Sequence, residues 1–122
     1  VIAIVAILAT IAYSSYQDQI VKSRRAAGVA CLLERAQFME RHFSTALTYV
    51  GANPGQCDSE VSPHYQLSFQ TAPAAATPRA YVLQIAPQGA QATRDTLCGT
   101  LTINQAGTRG EGGTATDAAQ CW

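Results

Sequence analysis

Hydrophobic and polar positions divide the chain into two styles. Residues Val1–Tyr13 read VIAIVAILATIAY, with no charge and with Thr10 as the one polar break. As a helix rising about 1.5 Å per residue, this stretch is roughly 20 Å long against a bilayer core of about 30 Å, so by itself it is too short to span. It starts without Met, and a few more apolar residues upstream would make it a membrane anchor; otherwise it reads as a buried core helix. A secretory signal fits poorly, because no small-residue cleavage site follows and the chain runs straight into a polar helical pattern. From Ser14 to about Ser44, Val29, Leu32, Ala36, Met39 and Phe43 recur at spacings of three and four, which places them on one helix face. Lys22, Arg25, Glu34, Arg35 and Arg41 are expected mostly off that face. With Gly28 the only glycine before Gly51, the reading is one helix of about 44 residues, near 66 Å long. Its first half is apolar all round and its second half amphipathic, so the halves belong in different surroundings.

Beyond Leu47 the period changes. Gly51, Asn53, Pro54 and Gly55 mark a loop. Tyr65, Leu67 and Phe69 alternate with polar residues, as do Tyr81, Leu83 and Ile85, and then Leu101 and Ile103. Thr71–Arg79 and Gln88–Thr96 read as connections, and His64 as the start of the first strand. Three strands sharing one apolar face, covered by the amphipathic half of the helix, give an α+β fold with a three- to four-stranded antiparallel sheet. Gly107–Trp122 is glycine-rich without periodicity, with Gly107–Gly113 read as a mobile turn.

Cys31, Cys57, Cys98 and Cys121 are widely spaced, and no gap has the C-x-x-C form of a zinc or redox site. An even count suggests disulfides in an oxidising compartment. Of the three pairings, Cys31–Cys57 and Cys98–Cys121 are favoured because each closes a local loop, contributing about 3 kcal/mol in the loop-entropy picture. Eight basic and eight acidic residues cancel in the 122-residue chain, so nucleic acid or anionic lipid would need a local patch.

Candidate chemistry is sparse. His42 and His64 have no acid partner nearby in sequence, Ser14 and Ser15 lack a nucleophile elbow, and the glycine-rich tail lacks the G-K-[ST] of a phosphate loop. Asp58 and Glu60 are too few for a calcium site. No enzyme, cofactor or metal is expected.

The segment VIAIVAILATIAYSSYQDQIVKSRR resembles the amino-terminal helix of type IV pilins, beginning partway along it. TRDTLCGTLTINQAGTRG followed by QCW is similar to the carboxy-terminal strand and loop of the minor-pilin branch, and the order of parts matches over the whole chain. The resemblance implies about eight residues before Val1, opening with an F-T-L-I-E-L stretch. It also implies a leader removed by a prepilin peptidase, methylation of the new amino terminus, and residence in the inner membrane before the assembly machinery adds the subunit to a filament. On this reading residues 1–22 are the transmembrane or filament-core segment, with Val1, Ile2, Ile4, Val5, Ile7, Leu8, Ile11 and Tyr13 as the assembly surface. Residues 23–122 form the head: helix continuation 23–46, loop 47–63, sheet 64–104 and disulfide-bounded region 98–122. The chain is then a structural subunit of a homo-oligomeric or mixed extracellular filament used for adhesion, twitching motility or DNA uptake. A minor pilin displaying a DNA or surface-receptor site is the alternative, and a type II secretion pseudopilin ranks behind it. For DNA, Arg94 and Arg109 near the tail are the candidate residues, with Asp95 and Glu111 beside them weakening the field. Family members carry Gly and Pro in the apolar half where this chain has Ala6 and Ser14, so its helix is expected to stay more regular.

Overall fold

The computed structural model describes all residues, Val1–Trp122. Helix α1 (Ile2–Ala46) runs unbroken for 45 residues, and it ends where Leu47 turns left-handed (φ 59°) and donates its N–H to the Phe43 carbonyl at 2.8 Å. Strands β1 (Tyr65–Thr71) and β2 (Val82–Pro87), a short helix α2 (Ala90–Arg94), and strands β3 (Leu101–Asn104) and β4 (Arg109–Glu111) follow, with a 3₁₀ turn at Ala118–Gln120. The sheet is antiparallel in the order β1-β2-β3-β4. Its registers set Leu67 opposite Ile85, Leu83 opposite Ile103 and Ile85 opposite Leu101, so every second residue faces the helix. Leu32 and Met39 of α1 meet Tyr65, Leu67, Leu83, Ile85 and Leu101 in a core where each is at most 1% exposed.

Four expectations are corrected. Gln88–Thr96 contains α2, and Gly107–Trp122 contains β4 in place of a mobile turn. His64 lies in the turn before β1, although its carbonyl accepts the Gln88 N–H. Arg25 and Arg35, expected off the packed face, are both half-buried.

Close packing requires a glycine in the tail at Gly113. Gly112, Thr114 and Ala115 donate N–H groups to the carbonyls of Cys98, Thr96 and Leu97, so the tail backbone runs along the Thr96–Cys98 loop. At Gly113 a Cβ would overlap the backbone of Leu97 and Thr96, which leaves glycine as the residue that fits. Disulfides Cys31–Cys57 and Cys98–Cys121 fasten the loop after α1 to the helix and the tail to the α2–β3 loop.

Candidate assembly surface and helix–head junction

The apolar half of α1 leaves the head behind. Val1, Ile2, Ile4, Val5, Ile7, Leu8, Ile11, Tyr13 and Tyr16 are each at least 60% exposed, on all sides of the helix. In water this is a large unfavourable apolar area, so it calls for an apolar partner. The one hydroxyl in the first thirteen residues apart from the Tyr13 phenol, that of Thr10, donates to the Ala6 carbonyl at 2.9 Å. The segment is thereby suited to surroundings without water, where an unmade hydrogen bond is costly. No helix of the chain is long and apolar enough to cross a membrane.

Where the helix enters the head, a buried polar network bolts the two together. Val21, Arg25, Gly28, Leu32, Ala36 and Met39 follow one another at three- and four-residue spacings, so Arg25 sits on the buried stripe. Its Nε and Nη2 donate to the two oxygens of Asp95 at 2.9 and 2.8 Å. The Arg25 side chain is 12% exposed and that of Asp95 fully buried. Asp95 also accepts from the Tyr65 hydroxyl at 3.2 Å and from the Cys98 N–H at 3.3 Å. Gln91 donates to the Tyr65 hydroxyl and to the Val21 carbonyl. The hydrogen bonds to Asp95 raise the Arg25 pKa against the opposing effect of burial, and desolvation pushes the Tyr65 phenol up to about 12. Gly28 lets the Tyr65 ring lie against the helix, since a Cβ there would stand 3.2 Å from it.

Further along α1 a second junction forms. Glu40 accepts from the Tyr49 hydroxyl through both oxygens (2.9 and 3.0 Å) and from the Tyr81 hydroxyl at 3.3 Å, while Tyr49 stacks on Phe43 and meets Tyr81 edge-on. Desolvation, reinforced by Glu40, pushes Tyr49 up to about 12 and raises Tyr81 as well.

Beside the first junction α1 and the α2–β3 region enclose a groove of about 520 Å³, lined by Tyr13, Lys22, Arg25, Arg94 and Leu97 among others. Arg94 and Arg109 are exposed but are not brought together. Arg94 lines this groove, whereas Arg109 lies on β4 with its guanidinium 5.0 Å above the Trp122 ring. Of the acids thought to offset them, Asp95 is paired with Arg25, while Glu111 accepts the Gly113 N–H at 2.7 Å and keeps its negative charge beside Arg109. His42 lines a shallow hollow with Phe38, Arg41 and Thr45, and its Nε2 is buried without a partner. No group of three His, Cys, Asp or Glu side chains is placed to hold a metal ion.

The family model described as "Type IV minor pilin ComP, DNA uptake sequence receptor" matches residues 14–102. No curated protein matches the sequence. A type IV pilin from Shewanella oneidensis is similar at 28% identity and a TM-score of 0.60, covering 84% of this chain and 97% of that one. The Neisseria meningitidis non-core minor pilin PilV shares the fold at 21% identity and a TM-score of 0.62, over 82% of this chain and 94% of that one.

Proposed function

The chain belongs to the ComP family of type IV minor pilins, a pilus subunit by family and fold, and from that premise we propose that Val1–Tyr16 packs into the filament core while residues 23–122 form the surface head. The observation that carries this reading is the all-round exposure of the apolar half of a single unbroken helix. Before assembly the same surface meets lipid in the inner membrane, and afterwards it meets the corresponding helices of other pilins. One apolar surface thus serves two apolar surroundings. The role is structural, with the junctions at Asp95 and Glu40 holding the head rigidly to the helix that carries it.

The test is a variant with Ile4→Lys and Leu8→Lys together. A lysine in apolar surroundings costs about 2.5–3.5 kcal/mol, and neither position touches the head. The head is expected to fold with both disulfides intact while the chain disappears from sheared filaments. Incorporation at the wild-type level would refute the reading.

A second reading, contact with duplex DNA, is favoured by one observation: Asp95, the acid beside Arg94, is neutralised by Arg25 within the fold, so the exposed Arg94 guanidinium keeps its field. It predicts DNA retention that weakens with salt, with a log–log slope about two units shallower in Arg94→Ala/Arg109→Ala than in the parent. An unchanged slope would dismiss it.

A further inference from the structure

We propose that the groove between α1 and the α2–β3 loop seats the phosphate of an anionic phospholipid, holding the head against the membrane before assembly; this rests on the reading that the apolar half of α1 lies in the bilayer at that stage. The groove lies where the exposed apolar helix enters the head, lined from Tyr13 at its apolar end to Lys22 and Arg25 nearer the head. From Tyr16 to Lys22 the helix rises about 9 Å, comparable to the headgroup layer that separates the hydrocarbon from water. The charged residues of the lining are Asp18, Lys22 and Arg25 on α1 and Arg94 and Asp95 on the other wall, a net charge of +1 that matches a single phosphodiester. Asp95 is held by Nε and Nη2 of Arg25, which leaves Arg25 Nη1 without a protein partner at a residue lining the groove. Lys22 and Arg94 are exposed and free of ion pairs. Leu97, 41% exposed in an otherwise polar loop, joins Tyr13 as the apolar part of the lining. Cationic groups above an apolar and aromatic lip are the arrangement a lipid headgroup requires at an interface. The volume of about 520 Å³ falls within the range of about 300–1,000 Å³ usual for small-ligand sites.

The experiment measures partition of the full chain into phosphatidylcholine vesicles and into vesicles containing phosphatidylglycerol. Three proteins are compared: the parent, Lys22→Gln/Arg94→Gln, and a charge-matched control, Arg41→Gln/Arg79→Gln. Each cation near an anionic surface is worth about fivefold in binding. The groove variant is therefore expected to lose about 25-fold of the preference for phosphatidylglycerol, while the control keeps nearly all of it. Inorganic phosphate at matched ionic strength is expected to compete poorly. Equal loss in both variants, or partition indifferent to lipid charge, would overturn the proposal and leave the membrane reading intact. Failure to enter either vesicle would overturn both. Saturation of the groove by inorganic phosphate would make it a free-anion site. Vesicle binding that ignores Lys22 and Arg94 while duplex DNA binding depends on them would assign the groove to nucleic acid.

Discussion

Replacing Asp95 by alanine removes the centre of the helix–head junction. The carboxylate accepts two bonds from Arg25, one from Tyr65 and one from the Cys98 N–H, in a site where its own side chain is fully buried. In Asp95→Ala the Arg25 guanidinium stays in place without its counter-charge. Breaking a buried pair from one side costs about 3–5 kcal/mol, and the 12% exposure of Arg25 gives it some access to water, which favours the lower end, about 3 kcal/mol. The unfolding entropy is about 2.1 cal/mol/K per residue, so for a head of roughly 100 residues the loss corresponds to a Tm lower by about 14 °C. The assay is thermal and urea unfolding of the full chain in mild detergent, followed by near-ultraviolet circular dichroism and Trp122 fluorescence. An unchanged m-value would tie the effect to stability rather than to altered compactness. Removing Arg25 as well takes away the orphaned charge. The double variant Arg25→Ala/Asp95→Ala is accordingly expected to cost less than the sum of the singles by about 2 kcal/mol. A loss under about 1 kcal/mol in Asp95→Ala, or strict additivity in the cycle, would refute the view that this pair holds the head to the helix.

Three other outcomes follow from the same structure. Cys98→Ser/Cys121→Ser opens a loop with a sequence separation of 23 and should cost about 3 kcal/mol, releasing the tail to protease before the sheet unfolds; equal protease resistance would count against it. Gly113→Ala forces a Cβ into the backbone of Leu97 and Thr96 and should cost about 2–3 kcal/mol, read as a lower urea midpoint; a neutral change would show that the tail can shift. Tyr49 and Tyr65, pushed up to about 12, and Tyr81, also raised, stay protonated in the fold while the unfolded phenols titrate near 10. Their contribution is therefore complete below about pH 10 and is lost as the pH rises through the folded values. The unfolded phenols are already half-ionised at about pH 10, so each loses about 1 kcal/mol between about pH 10 and 11, together about 3 kcal/mol, and a urea midpoint flat across that interval would contradict the assignment.

The helix and the first three strands were legible because their periods persist: spacings of three and four along α1, and alternation in β1, β2 and β3. Strand β4 was not, since its residues Arg109, Gly110 and Glu111 carry no apolar alternation and pair only because β3 offers an open edge. Helix α2 is five residues of Ala, Gln, Thr and Arg in a polar connection, too short for a period to show. The junction was hidden for a different reason. Arg25 and Asp95 are 70 positions apart, and each looks like an ordinary surface charge beside other charges. One signal was available: Arg25 continues the stripe formed by Gly28, Leu32, Ala36 and Met39, and a charge on a buried stripe demands a partner. The same pairing changes the reading of Arg94, because its sequence neighbour Asp95 is turned inward and does not offset it.

Whether this chain enters a filament through its apolar helix is decided by quantitative mass spectrometry of filaments sheared from the cell surface. The chain is expected in the purified fibres as a small fraction of total pilin, as a minor pilin should be, and Ile4→Lys/Leu8→Lys is expected to remove it. A chain abundant in the membrane fraction yet absent from the fibres would show that the helix does not carry it into a filament.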